Sequence, residues 1–191
     1  MVEDEINKKE ISFFRSYHAD PPWDTNVSPP ELINFLTYRL PGRALDIGCG
    51  TGTNLICLAE HGWQAEGIDY IREAVRKARR KLQDKKLVLS VYYGDFLTST
   101  RLQGYYDLIL DIGCYHSLPD EDKRSYEKKI TNLLARQGYL LMHGYLKSDS
   151  PRRGITQKDI ELLSTRFRMD FAERGTGLHE RPSIWMLFRR E

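Results

Sequence analysis

The 191-residue sequence predicts a doubly wound α/β fold, a mostly parallel sheet with helices on both faces. Two observations carry that prediction. Five strand-like runs alternate with segments of helical period, and the chain closes on two strands joined by a turn-rich link instead of a helix. A third fixes where the chemistry sits: the first run leads straight into a turn with glycine at every second position, "ALDIGCGTG", Ala44 to Gly52.

The elements follow in order. Ile6 to Tyr17 carries Ile11, Phe14 and Tyr17 at helical spacing, so a first helix is expected there. "ADPPWDTNVSPPE" then holds four prolines and is a loop. Glu31 to Tyr38 is a short helix with Leu32, Phe35 and Leu36 on one side. "RALDIG" is a buried strand, Thr53 to His61 a helix capped by Gly62, and "WQAEGID" a second strand. Ile71 to Gln83 is a helix whose Ala74, Ala78 and Leu82 line one face while Arg72, Arg76 and Arg79 line another. "KLVLSVYYGD" is a third strand. "YYDLILDIG" is a fourth, and its lack of polar alternation fits a strand covered on both faces. Pro119 to Arg136 is a helix with acids in its first turn, ended by Gly138. "YLLMHGY" is a fifth strand and Thr156 to Ser164 a short helix, before "FRMDFAER" and "SIWMLFRR" close the sheet.

Composition bounds the partners. A hydrophobic fraction of 40% with 11 Tyr and 7 Phe is enough for a real core, and one domain is the expectation at this length. A net charge of +2 does not suit a protein whose main work is gripping nucleic acid. The polar, acidic N-terminus resembles no targeting peptide, and no apolar run is long enough to span a bilayer, so a cytoplasmic location is expected. Cys49, Cys57 and Cys114 form no CxxC and no zinc spacing. They are expected to be reduced, buried thiols, and no metal site is expected.

The glycine spacing decides the ligand. A dinucleotide fingerprint needs GxGxxG, whose third glycine lets the helix pack closely while its N-terminus takes the pyrophosphate. Here Gly48, Gly50 and Gly52 form GxGxG, and Asp46 stands two residues ahead. A carboxylate there repels a pyrophosphate and suits a ligand with a positive amino group. Asp69 ends the second strand, where a carboxylate can accept from both hydroxyls of a ribose. Asp95 ends the third, able to accept from an exocyclic amine, with Phe96 as an apolar face beside it.

On these residues the chain resembles the class I S-adenosylmethionine-dependent methyltransferases. "LDIGCGTG", "GIDY", "GDF" and "DLILDIGCYHSLP" stand in that family's order and spacing, over Arg43 to Tyr145. The resemblance implies a Rossmann-like sheet of seven strands with the last antiparallel. It implies S-adenosylmethionine as cofactor and S-adenosylhomocysteine as product. Carried over, Asp46 lies near the methionine amino group, Gly48 and Gly50 give close backbone approach with Cys49 between them, and Asp69 with Tyr70 follows the ribose. Asp95 and Phe96 meet the adenine, and Ile112 and Gly113 face the methionine part. Residues 1–40 are then expected to form a helical and loop lid over a core of residues 41–191.

The acceptor side is read from three places. Trp23 in "PPWDTN" is a candidate cover for the donor, in a segment that also resembles the "PWD" loops of a thiol, halide, thiopurine and tellurite branch. Tyr115 and His116 in "CYHSLP" are candidate catalytic residues, with His116 a possible base and His143 a further pocket-side group. Tyr17 is a third catalytic candidate and, with His18, closes the site from the N-terminal segment. Each has a bland counterpart: Trp23 as a hydrophobic plug, the histidines as loop hydrogen-bonders, and the basic run "REAVRKARRK" as a solvated face. With no insertion large enough for a polymer, the expected reaction is direct in-line transfer of a methyl group to a small molecule, a thiol or other soft anion among the candidates. An RNA or protein methyltransferase, or a non-catalytic cofactor-binding subunit, are the alternatives. The first would need an aromatic platform beside the basic helix. The second would bind the cofactor without turnover.

Overall fold

The structure is a computed structural model and describes residues 24–148, 152–177 and 180–191. The helix expected over Ile6 to Tyr17, and Tyr17, His18 and Trp23 themselves, lie outside the described residues. In chain order the elements are α1 (Pro30–Thr37), β1 (Arg43–Ile47), α2 (Thr53–Glu60), β2 (Gln64–Asp69), α3 (Arg72–Asp84), β3 (Ser90–Tyr93) and β4 (Tyr106–Ile112). A single 3₁₀ turn (Tyr115–Ser117) follows, then α4 (Asp120–Leu133), β5 (Leu134–Tyr145), α5 (Gln157–Ser164), β6 (Arg168–Thr176) and β7 (Pro182–Arg189).

The seven strands form one sheet in the order β3-β2-β1-β4-β5-β7-β6. β1 pairs parallel with β2 and β4, β2 with β3, and β4 with β5. Only β7 runs against its neighbours, antiparallel to both β5 and β6. The order reverses between β1 and β4, which opens a crevice at their C-terminal ends. Alternate residues of the central strands feed two cores. Ile47, Ile68, Ile109, Leu140 and Met142 pack under Tyr126, Ile130 and Leu133 of α4. Ala44, Ala65, Leu108, Leu110 and Leu141 pack under Leu32, Phe35 and Leu36 of α1, with Leu55 and Leu58 of α2 and Val75 and Ala78 of α3.

Two expected boundaries move, one for a local reason and one through a partner distant in sequence. The third strand starts at Ser90, not at Lys86. The Lys86 and Leu87 amides donate to Gln83 and Leu82, closing α3 with Lys86 in the left-handed region, so those donors cannot enter the sheet. Gly62 closes α2 in the same way, its amide on Ala59 and that of Trp63 on Leu58. The long helix ends at Leu133, short of Arg136. Arg190 Nη1 donates to the Thr131 carbonyl at 2.6 Å and to that of Leu134, and the Gln137 amide donates to Arg190 O. The left-handed residue there is Gln137, not Gly138. Of the cysteines only Cys49 is buried; Cys57 and Cys114 are half-buried. Among the described residues, no helix is long and apolar enough to cross a membrane.

The side of the sheet beyond β5 is held by a buried ion pair. Lys123 of α4 reaches Asp159 of α5 at 2.7 Å, with Gly154 O at 3.3 Å, while Asp159 also completes the capping box with Thr156. Asp159→Ala leaves Lys123 charged and short of its buried partner and uncaps α5. It is expected to cost about 3–5 kcal/mol, read as a lowered urea midpoint.

Candidate active site

All the sequence-derived cofactor residues that are described except Cys49 and Phe96 lie at the C-terminal edge of the parallel strands as side chains or turn backbone. Gly48, Gly50 and Gly52 all have positive φ, of 68°, 53° and 83°, which is why the turn needs glycine at every second position. A Cβ on Gly48 would also stand 2.9 Å from the Cys114 sulfur. The turn spends its own donors. The Gly48 and Cys49 amides bond Ile68 O, Gly50 N–H bonds Asp69 Oδ2 at 2.9 Å, and Gly52 N–H bonds Cys49 O. Those four amides are not presented to a pyrophosphate, which agrees with the reading against a dinucleotide.

Three carboxylates converge here. Asp69 accepts from Gly50 N–H and, at 2.8 Å, from Ile71 N–H. Burial lifts its pKa to about 6, against those two hydrogen bonds. Asp111 accepts from the Tyr126 hydroxyl at 2.6 Å and from the Cys114 and Tyr115 amides. Burial lifts it to about 6 as well, against those bonds. Asp46 is 1% exposed, and its Oδ2 has no hydrogen-bond partner among the described residues. Burial first, then the charges of Asp69 and Asp111, push its carboxyl well above the usual range. The edge thus gathers three acids whose charge burial disfavours, and it lacks a donor for one buried oxygen. A cationic ligand with an N–H to give fits both properties.

The remaining expectations divide. Asp95 is exposed and uses Oδ1 to accept from Leu97 N–H at 2.8 Å. Tyr70, after β2, and Ile112, at the end of β4, are half-buried. Cys49 is buried, its thiol pushed up first by desolvation and then by Asp69 and Asp46, so it is an unreactive packing residue. Phe96 does not offer a free face: it is 7% exposed and packs on Tyr126 at 5.3 Å with Lys129 over its ring. Tyr115, expected as a catalytic candidate, is fully buried with its ring tilted on that of Tyr126 at 5.0 Å, and its backbone N–H donates to Asp111. His116 is half-buried in the turn after β4, its ring edge-on to Tyr145 at 5.1 Å. His143 lies against Trp185 at 4.7 Å, and burial lowers its pKa to about 4, so it is neutral and weakly basic at neutral pH.

Sequence reasoning missed two features. Asp111 was visible only as the sole acid inside "LILDIG". The basic helix is not merely a solvated face. Lys81 Nζ reaches Asn26 Oδ1 and Thr51 Oγ1 at 2.5 Å each, and Thr51 donates to the Asp24 carboxylate at 2.8 Å. The chain just after Trp23 is therefore tied to the glycine turn. No group of His, Cys, Asp and Glu among the described residues could hold a metal ion.

Comparisons with known proteins agree with this geometry. The family model described as a methyltransferase domain matches residues 44–138. The chain belongs to the class I S-adenosylmethionine-dependent methyltransferases. An uncharacterized methyltransferase of Schizosaccharomyces pombe is 26% identical over 114 residues, 60% of this chain and 79% of that one. The 2-heptyl-1-hydroxyquinolin-4(1H)-one methyltransferase of Mycobacteroides abscessus is 29% identical over 119 residues, 61% of this methyltransferase and 52% of that protein. In structure, the Burkholderia thailandensis 1,6-didemethyltoxoflavin-N1-methyltransferase, solved with 1,6-didemethyltoxoflavin and S-adenosylhomocysteine, superposes with a TM-score of 0.80 at 18% identity, over 98% of this chain and 89% of that one.

The two carboxyls with pKa near 6 give a pH test. Both bind a proton more tightly in the folded than in the unfolded chain, where an aspartate titrates near 4, so the folded state holds the extra protons between about pH 4 and 6. Stability is expected to be highest at the acid end of that window and to fall as pH rises through it, by up to about 3 kcal/mol per carboxyl. Urea midpoints across the window measure the slope, and Asp111→Asn should flatten it.

Proposed function

We propose that this methyltransferase holds S-adenosylmethionine across the ends of β1, β2 and β3 and transfers its methyl group to a small molecule entering beside β4 and β5. The observation that carries the reading is Asp46 Oδ2, buried and unpartnered within a trio of acids beside a glycine turn that keeps its own amides. The methionine amino group would give Asp46 its missing donor, and the sulfonium would sit in a field of the right sign. Gly48 and Gly50, with Cys49 between them, would present backbone to the methionine part, and Ile112 and Gly113 would face it from the other side. Asp69 retains lone pairs for the ribose hydroxyls beyond its two amide bonds, beside Tyr70, and Asp95 would accept from the adenine amine. Phe96, packed in the core, would support that end from beneath.

When bound, the cofactor supplies a methyl group already activated on a sulfonium. The chain's own task is to orient: hold the acceptor in line, and keep water out. His116, in the turn after β4, is the titratable group best positioned to take an acceptor proton. A thiolate or another soft anion asks least of the site, because it needs no base. The small size of the acceptors named for the mycobacterial and Burkholderia proteins supports a small acceptor here. Residues 1–40 would wall the acceptor side, with Tyr17, His18 and Trp23 as its aromatic lining. Support comes from Asp24, whose carboxylate is held by Thr51 and lies 3.7 Å from Lys81.

Asp69→Ala is expected to weaken S-adenosylmethionine binding by about 1–3 kcal/mol. Calorimetry on the folded variant checks it, and unchanged affinity would remove Asp69 from the site. Asp24→Ala unhooks the N-terminal segment. It should lower transfer to the best acceptor found in a screen with labelled cofactor by tenfold or more, while S-adenosylhomocysteine binds within a few-fold of wild type. Equal loss of both would make Asp24 a support of the glycine turn alone.

A further inference from the structure

Resting on the proposed function, we infer that the methyl acceptor carries an anionic group, a carboxylate or its equivalent, gripped by Arg181 with Arg153 at the β5–β7 end of the edge. The Arg181 guanidinium lies 4.0 Å from the centre of the Tyr145 ring, and Tyr145 in turn meets His116. Arg181 Nη2 donates to Arg153 O at 3.3 Å, and Arg153 Nη1 donates to Ser117 O at 3.3 Å. The two arginines thereby join the turn before β7, the segment before α5 and the 3₁₀ turn carrying His116. Gly177 packs on the same tyrosine so closely that a Cβ would lie 2.6 Å from its ring.

What singles these two out is their place beside Tyr145 and the turn of His116; they share with Arg79 and Arg190 the lack of a carboxylate partner among the described residues. Arg43, Arg76, Arg166 and Arg168 each have a carboxylate partner. Arg153 and Arg181 bond only carbonyl oxygens among the described residues, and the exposed Glu180 makes no ion pair with either. Each guanidinium has five donors in a planar fork and spends one here. The Arg181 fork, fixed on an aromatic face with donors in hand and no counter-charge among the described residues, matches a planar anion. The C-terminal edge is consequently polarised, with buried acids around the glycine turn and cations beside His116. That polarity sets the two ligands in opposite senses and disfavours a cationic amine as acceptor.

The test uses two thiols that share a nucleophile and differ in charge, para-mercaptobenzoate and its neutral amide. Each is titrated calorimetrically into the full-length protein saturated with S-adenosylhomocysteine, and transfer from labelled S-adenosylmethionine is followed in parallel. The carboxylate is expected to bind about ten- to a hundredfold tighter than the amide. In the variant carrying Arg153→Gln and Arg181→Gln the two should come within about threefold, with S-adenosylhomocysteine affinity and thermal midpoint near wild type. Arg181→Lys alone should keep part of the preference. Equal affinity for the two thiols, binding of neither, or a preference that survives in the double variant each overturns the inference. Failure of S-adenosylhomocysteine to bind is a failure of the donor reading instead, and the same pair titrated without it then decides the anion preference.

Discussion

Keeping three carboxylates out of water at one sheet edge is the constraint from which the rest of the site follows. Burying a charge is costly unless something meets it. Asp69 is met by the amides of Gly50 and Ile71, which fixes the glycine turn against the end of β2. Asp111 is met by Tyr126 and the amides of Cys114 and Tyr115, which fixes the turn after β4 that carries His116. Asp46 is met least, with one oxygen unpartnered. The two satisfied acids thus build the walls, and the third leaves a debt that a cationic ligand can discharge.

The glycine turn is braced from its other side by side chains of opposite sign. Thr51, inside the turn, bonds Asp24 and Lys81 at once, so a loop from before the sheet and a helix after β2 meet on one hydroxyl. Lys81 therefore acts as a strut within a helix whose other cations behave differently. Arg76 pairs with Glu73 on the surface, and Arg79 turns to the Val91 carbonyl of β3. Charge on this helix is apportioned between solvent and three neighbouring segments, which its amphipathic pattern does not disclose.

Much of the fold was legible because its signals are local. Strands such as Tyr106–Ile112 are apolar on both sides because both sides are covered, and Gly48, Gly50 and Gly52 are required by their own dihedral angles. The count of seven strands and the antiparallel last one followed from a resemblance carried by motif spacing, whereas their order did not. What stayed hidden depends on partners distant in sequence. Leu133 ends its helix because Arg190, more than fifty positions on, takes the last carbonyls. Tyr115 and Phe96 occupy strand-end positions from which a ring can face a ligand or the core, and only the packing of Tyr126 against both decides for the core. Asp111 looked like one more acid near a strand end; its three donors come from the turn that follows and from the helix beyond.

β6 lies at the margin of the sheet, exposed along nearly all its length, with Phe171 43% open to solvent. Arg168, Asp170, Glu173 and Arg174 place charges of both signs along it, which deters a foreign strand from docking there. Its backbone amides, thinly covered, belong among those that exchange with deuterium earliest, whereas β1 and β4 belong among the last. The molecule thus has a stiff centre around the acids and a softer margin at β6. Differences between relatives in the acceptors they take can accumulate in the soft margin while the donor edge keeps its shape.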